Sequence, residues 1–293
     1  MAKIAYSSRS MHGSSRLLLD KMIQITEDYM QKGYRLTVRQ LYYQLVSRNI
    51  VPNSMSSYQR TSKVLLAGRM TGLVDWDIIV DRARVPRMRP QYDTISSFVG
   101  AVADSYRCFR WDDQDHYLEV MVEKEALAGI LQPVTDRYHV LLLANKGYSS
   151  ASAMHDVAGR MDGPARQGKQ CRILYMGDHD PSGMDMVRDI RARLGEFGCF
   201  AGVERIALTM DQIEEHDLPP NPAKRSDPRS RRYTDEYGGR SWELDALSPE
   251  ALARTLESRI LEYLDESRYQ EAIRREQAER DELKRAVAGM ETS

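Results

Sequence analysis

The 293 residues are 42% hydrophobic and 29% charged, the balance of a chain that buries a sizeable core, and no apolar run approaches the roughly 20 residues a membrane span needs. The opening MAKIAYSSRSMHGSS lacks the apolar middle of a signal peptide, and three scattered cysteines, Cys108, Cys171 and Cys199, argue against a disulfide framework or a zinc site, so a cytoplasmic location is expected. The net charge of −1 conceals an asymmetry: residues 1–110 hold 17 Lys+Arg against 8 Asp+Glu (+9), and the remainder 25 against 35 (−10). A basic third joined to an acidic remainder points to a nucleic-acid-facing module.

In chain order, Leu17, Leu18, Met22, Ile25, Tyr29 and Met30 recur at helical spacing before Gly33, which predicts a helix over 14–33. Thr37 is a candidate N-cap for a short helix ending near Asn49 and Pro52, and Ser54 or Ser56 opens a third helix over 54–70, closed by Gly72. Residues 73–80 (LVDWDIIV) read as a strand or wing. Three helices and a β element describe a winged-helix DNA-binding domain over 1–85, with Arg60, Lys63 and Arg69 of its third helix suited to a DNA groove. Residues 86–116 read as a linker, beginning within the Pro- and Arg-containing stretch 82–90. Beyond it, apolar strands at 118–122, 138–144, 171–176 and 202–208 alternate with helices at 124–131, 149–161 and 182–194. That order predicts an α/β domain over 117–265, a parallel sheet flanked by helices. Residues 219–240 form a Pro-, Arg- and Gly-rich loop, and 266–293 a charged, solvated helical tail with i,i+4 pairing.

The residues suited to chemistry stand at strand ends. Glu123 follows LEVMV, and Asp178 and Asp180 follow ILYMG within GDHDPSG. Active sites of open parallel sheets form outside the carboxyl ends of the strands. Two aspartates spaced by two in extended chain point to one side, so with Glu123 they are candidate Mg²⁺ ligands, while His179 between them faces away.

A strand ending in Glu, a helix, and then a strand ending in D-x-D-x-x-G resembles the Toprim domain of topoisomerases, primases and related nucleases. Val122-Glu123-Lys124-Glu125-Ala126-Leu127, Asn145-Lys146-Gly147-Tyr148 and the segment from Gly177 to Asp185 narrow the likeness. They resemble the topoisomerase VI A subunit and the meiotic double-strand-break transesterase. Thr37-Val38-Arg39-Gln40-Leu41-Tyr42-Tyr43 is similar to that family's R-x-[IL]-Y-Y segment. Asn221-Pro222-Ala223-Lys224, Asp227-x-Arg229 and Glu243-Leu244-Asp245-Ala246-Leu247 match its later signature, so the likeness spans roughly residues 15–265.

The resemblance implies Mg²⁺-dependent cleavage of duplex DNA by a type IIB topoisomerase A-like homodimer. Tyr43 would be the nucleophile, facing the metal pocket of the other protomer and leaving a 5′-phosphotyrosyl link. Glu123, Asp178 and Asp180 would be metal ligands, Glu123 also a general acid or base. Arg39, one turn before Tyr43, would lower the phenol's pKa or clamp the phosphate. Lys146, Lys224, Arg229 and Arg231 would contact phosphates. No Gly-x₄-Gly-Lys-[Ser/Thr] loop is present, so strand passage would need a separate ATPase subunit. Two alternatives keep the same architecture: a hydrolytic nuclease in a defence or DNA-processing complex, with Tyr43 structural, and a non-catalytic DNA-binding subunit. For Tyr42 and Tyr43 the competing reading is plain packing of an aromatic pair in the helical core.

Overall fold

A computed structural model describes residues 4–8, 11, 13–79, 89–144, 150–222 and 230–290. Helix α1 (Gly13–Gln31) buries Leu18, Leu19, Met22, Ile25 and Tyr29, three or four residues apart on one face. Thr37 caps α2 (Val38–Ser47) through a capping box: its hydroxyl accepts the Gln40 N–H, and the Gln40 side chain accepts the Thr37 N–H at 2.8 Å. Ser54 caps α3 (Met55–Met70). The strand expected at 73–80 does not form among the described residues. Asp75 accepts the Asp77 N–H at 3.0 Å, and this local bond turns Trp76–Ile78 into a single 3₁₀ turn. Only Ile79 keeps a β contact, a lone parallel bridge to Leu36. Within the segment read as a linker, Thr94 caps a further helix, α4 (Ile95–Ser105).

The alternation beyond it builds β1 (His116–Val122), α5 (Glu125–Tyr138), β2 (Leu141–Ala144), α6 (Ala151–Arg166), β3 (Gln170–Met176), α7 (Pro181–Glu196) and β4 (Gly202–Ala207). The four strands are parallel in the order β2-β1-β3-β4. Side chains alternate across the sheet, so each face has its own apolar layer. Leu118, Val120, Val122 and Leu174 join α5 on one face; Met121, Ile173 and Tyr175 join α6 and α7 on the other. The order of winding reverses at β1, with β2 added on one side of it and β3 on the other, which makes the carboxyl ends of β1 and β3 the expected ligand crevice. Glu123 and Asp178 stand there.

After β4 come α8 (Met210–Glu215), a two-residue antiparallel pair of β5 (Asn221–Pro222) with β6 (Arg240–Ser241), α9 (Ser230–Tyr237), a 3₁₀ turn at Leu244–Ala246, α10 (Pro249–Glu262) and α11 (Glu266–Met290). Helix α11, read as solvated, is docked along one face: Tyr269, Ala272 and Glu276 are buried, and Arg110 forks Glu276 at 2.8 and 3.0 Å. The layer beneath α5 runs on without a break into the N-terminal helices, joining Leu19, Leu41 and Leu45 to Leu127, Leu244 and Leu256. A fully buried side chain of this size contributes about 1.5–3 kcal/mol.

Candidate active site

Two glycines let the chain turn sharply after β3. A Cβ on Gly177 would stand 2.2 Å from Tyr175 Oη and 2.7 Å from Glu123 Oε2, and one on Gly183 would stand 2.1 Å from the Asp178 carbonyl oxygen. The carboxylates and the backbone are therefore in van der Waals contact around this turn. Arg205 of β4 holds it from beneath, donating to the carbonyls of Gly177 (2.9 Å) and Asp178 (3.1 Å). Its guanidinium also lies over the Tyr175 ring at 5.4 Å.

Each sequence-predicted ligand has one oxygen tied to the protein. Glu123 Oε2 accepts the Asp178 N–H at 2.8 Å and the Tyr175 hydroxyl at 3.2 Å. Asp178 Oδ1 accepts the Leu244 N–H and meets Lys124 Nζ, both at 2.8 Å. Asp180 Oδ1 caps α7, accepting from Gly183 N (2.6 Å) and Ser182 Oγ (2.8 Å). Glu123 Oε1, Asp178 Oδ2 and Asp180 Oδ2 take no hydrogen bond from the described residues. Hard oxygen donors left open in this way fit Mg²⁺, which binds one or two carboxylates and completes its shell with waters and phosphate oxygens. Among the described residues no three His, Cys, Asp or Glu side chains are arranged, as they stand, to hold a metal ion.

Burial pushes the Asp178 pKa up to about 7; Lys124 opposes the rise and Glu123 adds to it. Burial alone would lower Lys124, but Asp245, Asp178 and Glu243 more than offset it, and the ammonium is held well above its ordinary value. His179 faces away from the carboxylates, as strand alternation predicts. Its Nδ1 lies 2.8 Å from Tyr233 Oη, whose proton goes to the His179 carbonyl, so Nδ1 is the donor. Burial and Arg205 push its pKa down to about 4, and the ring is neutral.

A cavity of about 470 Å³ opens in front of the turn, lined by Arg39, Tyr43, Asn53, Asp178, Asp180 and Glu243 among others. Glu123 is not in that lining. Tyr43 is 4% exposed, and its hydroxyl accepts from Asn221 Nδ2 at 3.3 Å. Asn53 holds Asn221 by a 2.8 Å bond and is itself held by the Tyr42 hydroxyl at 2.9 Å. Burial raises the Tyr43 pKa, with Glu243 adding to the rise and Asn221, Arg39 and Lys124 opposing it. Arg39 is half exposed and binds both oxygens of Glu243, one at 2.7 Å. It is part of an ion network rather than a free helix charge.

Of the expected DNA contacts, Arg60, Lys63 and Arg231 are exposed, Arg60 with a 3.0 Å bond to Ser14 Oγ. Arg69 donates to the carbonyls of Trp76 and Ile79, each at 2.9 Å, and lies over the Trp76 ring. Lys146, Lys224 and Arg229 lie outside the described residues. Sequence reasoning gave Lys124, Asn221, Glu243 and Asp245 a place in motifs but no role, and passed over Arg205. The available signal for Arg205 was a charge within a strand of the parallel sheet, beside Glu204 in GVERIA. Glu119 of β1 is another strand charge, fully buried and forked by Arg160, whose Nε and Nη2 each donate to it at 2.8 Å.

No family model matches the chain, and neither a curated protein nor a solved structure matches it. No helix among the described residues is long and apolar enough to cross a membrane.

Proposed function

We propose that this chain is a Mg²⁺-dependent enzyme that cleaves duplex DNA by tyrosyl transesterification. The observation that supports the reading best is the shared cavity: Tyr43 and Arg39 of α2 line it together with Asp178 and Asp180 from the end of β3. Tyr43 Oη would form a bond to a backbone phosphorus as the bond to the 3′ oxygen breaks. The phenol gives up its proton, the departing 3′-hydroxyl gains one, and the 5′ end stays on the protein. Arg39 and Asn221, beside the tyrosine, favour the phenolate and orient its oxygen. Glu123, Asp178 and Asp180 would hold Mg²⁺, which when bound supplies positive charge against the charge that builds on the phosphate oxygens. The basic N-terminal third, read as a winged-helix module on a Toprim core, would supply salt-sensitive phosphate contacts. The likeness to topoisomerase VI A implies a homodimer with the tyrosine acting across it, and strand passage would call for a separate ATPase subunit. In this chain tyrosine and aspartates line one cavity without a partner.

A second reading, the hydrolytic nuclease, is favoured by the burial of Tyr43, which raises its pKa and leaves it a weak nucleophile. Incubating the protein with supercoiled plasmid and Mg²⁺, followed by a denaturing quench, separates the two. Protein-linked 5′ ends that vanish in Tyr43→Phe are the expected result. Free ends that persist in Tyr43→Phe and vanish in Asp178→Ala would establish hydrolysis instead.

A further inference from the structure

The hydroxyl of Tyr43 ends a chain of hydrogen bonds whose direction is set by two backbone groups. At the far end the Ser54 N–H donates to Tyr42 Oη at 2.8 Å. The Tyr42 proton therefore points the other way, to Asn53 Oδ1 at 2.9 Å, with the Ser54 carbonyl at 3.1 Å as its alternative acceptor. The Pro220 carbonyl fixes the orientation of the Asn53 amide independently. A carbonyl oxygen can face only a donor, so Asn53 Nδ2 takes that side at 3.0 Å, and its second proton goes to Asn221 Oδ1 at 2.8 Å. With its oxygen occupied as an acceptor, Asn221 presents Nδ2 to Tyr43 Oη at 3.3 Å. A phenol oxygen that receives an N–H keeps its own proton for another direction, and Tyr43 lines the cavity. The two asparagines are 168 residues apart in the chain, and the direction holds only while both amides are present.

We propose that Asn53 is a positioning residue for Tyr43: acting through Asn221, it holds the phenol oxygen as a hydrogen-bond acceptor and leaves the proton turned to the cavity. An N–H aimed at this oxygen strengthens as negative charge develops on it, whereas an acceptor in the same place would favour the neutral phenol. The relay deepens the proposed function and rests on it only for the use of Tyr43 in cleavage. Burial and Glu243 act against ionisation of the phenol, and Arg39 and Lys124 act for it. Asp178 and Asp180 line the same cavity. None of these groups is altered in the variants below.

The test replaces Tyr43 in the full chain by 3,5-difluorotyrosine, whose phenol ionises nearer neutrality, and follows its ionisation by fluorine NMR without DNA or divalent ions. Asn53→Asp keeps the size of the side chain and puts an acceptor where Nδ2 stood. Asn221 then turns its own Nδ2 to position 53 and its oxygen to the phenol, which is expected to become an acid about tenfold weaker or more. The new carboxylate also carries charge, and an Asn221→Leu background isolates that effect. With no amide to turn, Asn53→Asp is expected to lose most of its influence there. An unchanged ionisation in Asn53→Asp, or an equal weakening in the Asn221→Leu background, overturns the proposal. Should Asn53→Asp fail to fold, Asn53→Leu, which cannot donate to Asn221 and adds no charge, takes its place; a smaller weakening in the same direction is expected, and the same two results overturn it. Because no cleavage is measured, a protein that shows this pattern but never carries 5′ ends on Tyr43 would refute the transesterase and leave the relay standing.

Discussion

Asp178→Asn, measured without divalent ions, tests whether the end of β3 is held at a cost to stability. The Asp178 pKa rises from 3.8 to about 7 in the fold, so the folded chain binds this proton more tightly than the unfolded chain does. The stabilising contribution of the group is therefore complete below about pH 4 and is lost as pH rises through 7. Three units at about 1.4 kcal/mol each make the ionised form roughly 4 kcal/mol unfavourable at pH 8. Asparagine keeps the size and an acceptor for the Leu244 N–H but removes one of three carboxylates from Lys124; Glu243 and Asp245 remain at 2.8 Å. The rise is already net of the attraction of Lys124, so we expect the variant to be more stable than the wild type by up to about 4 kcal/mol at pH 8 and equal to it at pH 4. Urea unfolding in EDTA at both pH values measures the difference. A variant less stable than the wild type at pH 8, or a gain of the same size at pH 4, would refute the reasoning.

Gly183→Ala drives a methyl group to 2.1 Å from the Asp178 carbonyl, so the turn must shift. We expect a loss of about 1–3 kcal/mol in urea unfolding, together with weaker Mn²⁺ binding, whereas Gly163→Ala, inside α6 with open space around it, meets no clash and leaves Mn²⁺ binding unchanged. Thr37→Ala removes the capping box of α2 and should cost about 1 kcal/mol, read as a lower urea midpoint with an unchanged slope; no loss would mean the cap is idle.

Local signals in the sequence were legible wherever their physics was local. Thr37 and Ser54 cap the helices they were read to cap, and the apolar runs around Val120, Leu142, Leu174 and Ile206 are the four parallel strands. Because the carboxyl end of a parallel strand is known once the strand is known, Glu123, Asp178 and the outward turn of His179 could be placed in advance. The wing could not, because the Asp75 side chain offers the backbone a turn that competes with strand pairing. Nor could the partners of Lys124, which lie 119 and 121 residues away and meet it only once the 3₁₀ turn folds over the sheet. The ring of Tyr42, Asn53, Asn221 and Tyr43 was hidden for the same reason.

The unbroken apolar layer beneath α2 and α5 has a mechanical consequence. Tyr43 rides on a helix whose inner face, Leu41 and Leu45, is welded to the same layer as Leu244, one residue from Asp245. Parting the tyrosine from the carboxylates like two jaws would split that layer and expose its leucines to water. Any widening of the cavity thus falls to side chains at its rim such as the half-exposed Arg39, movements on the timescale of side-chain rotation rather than of a hinge.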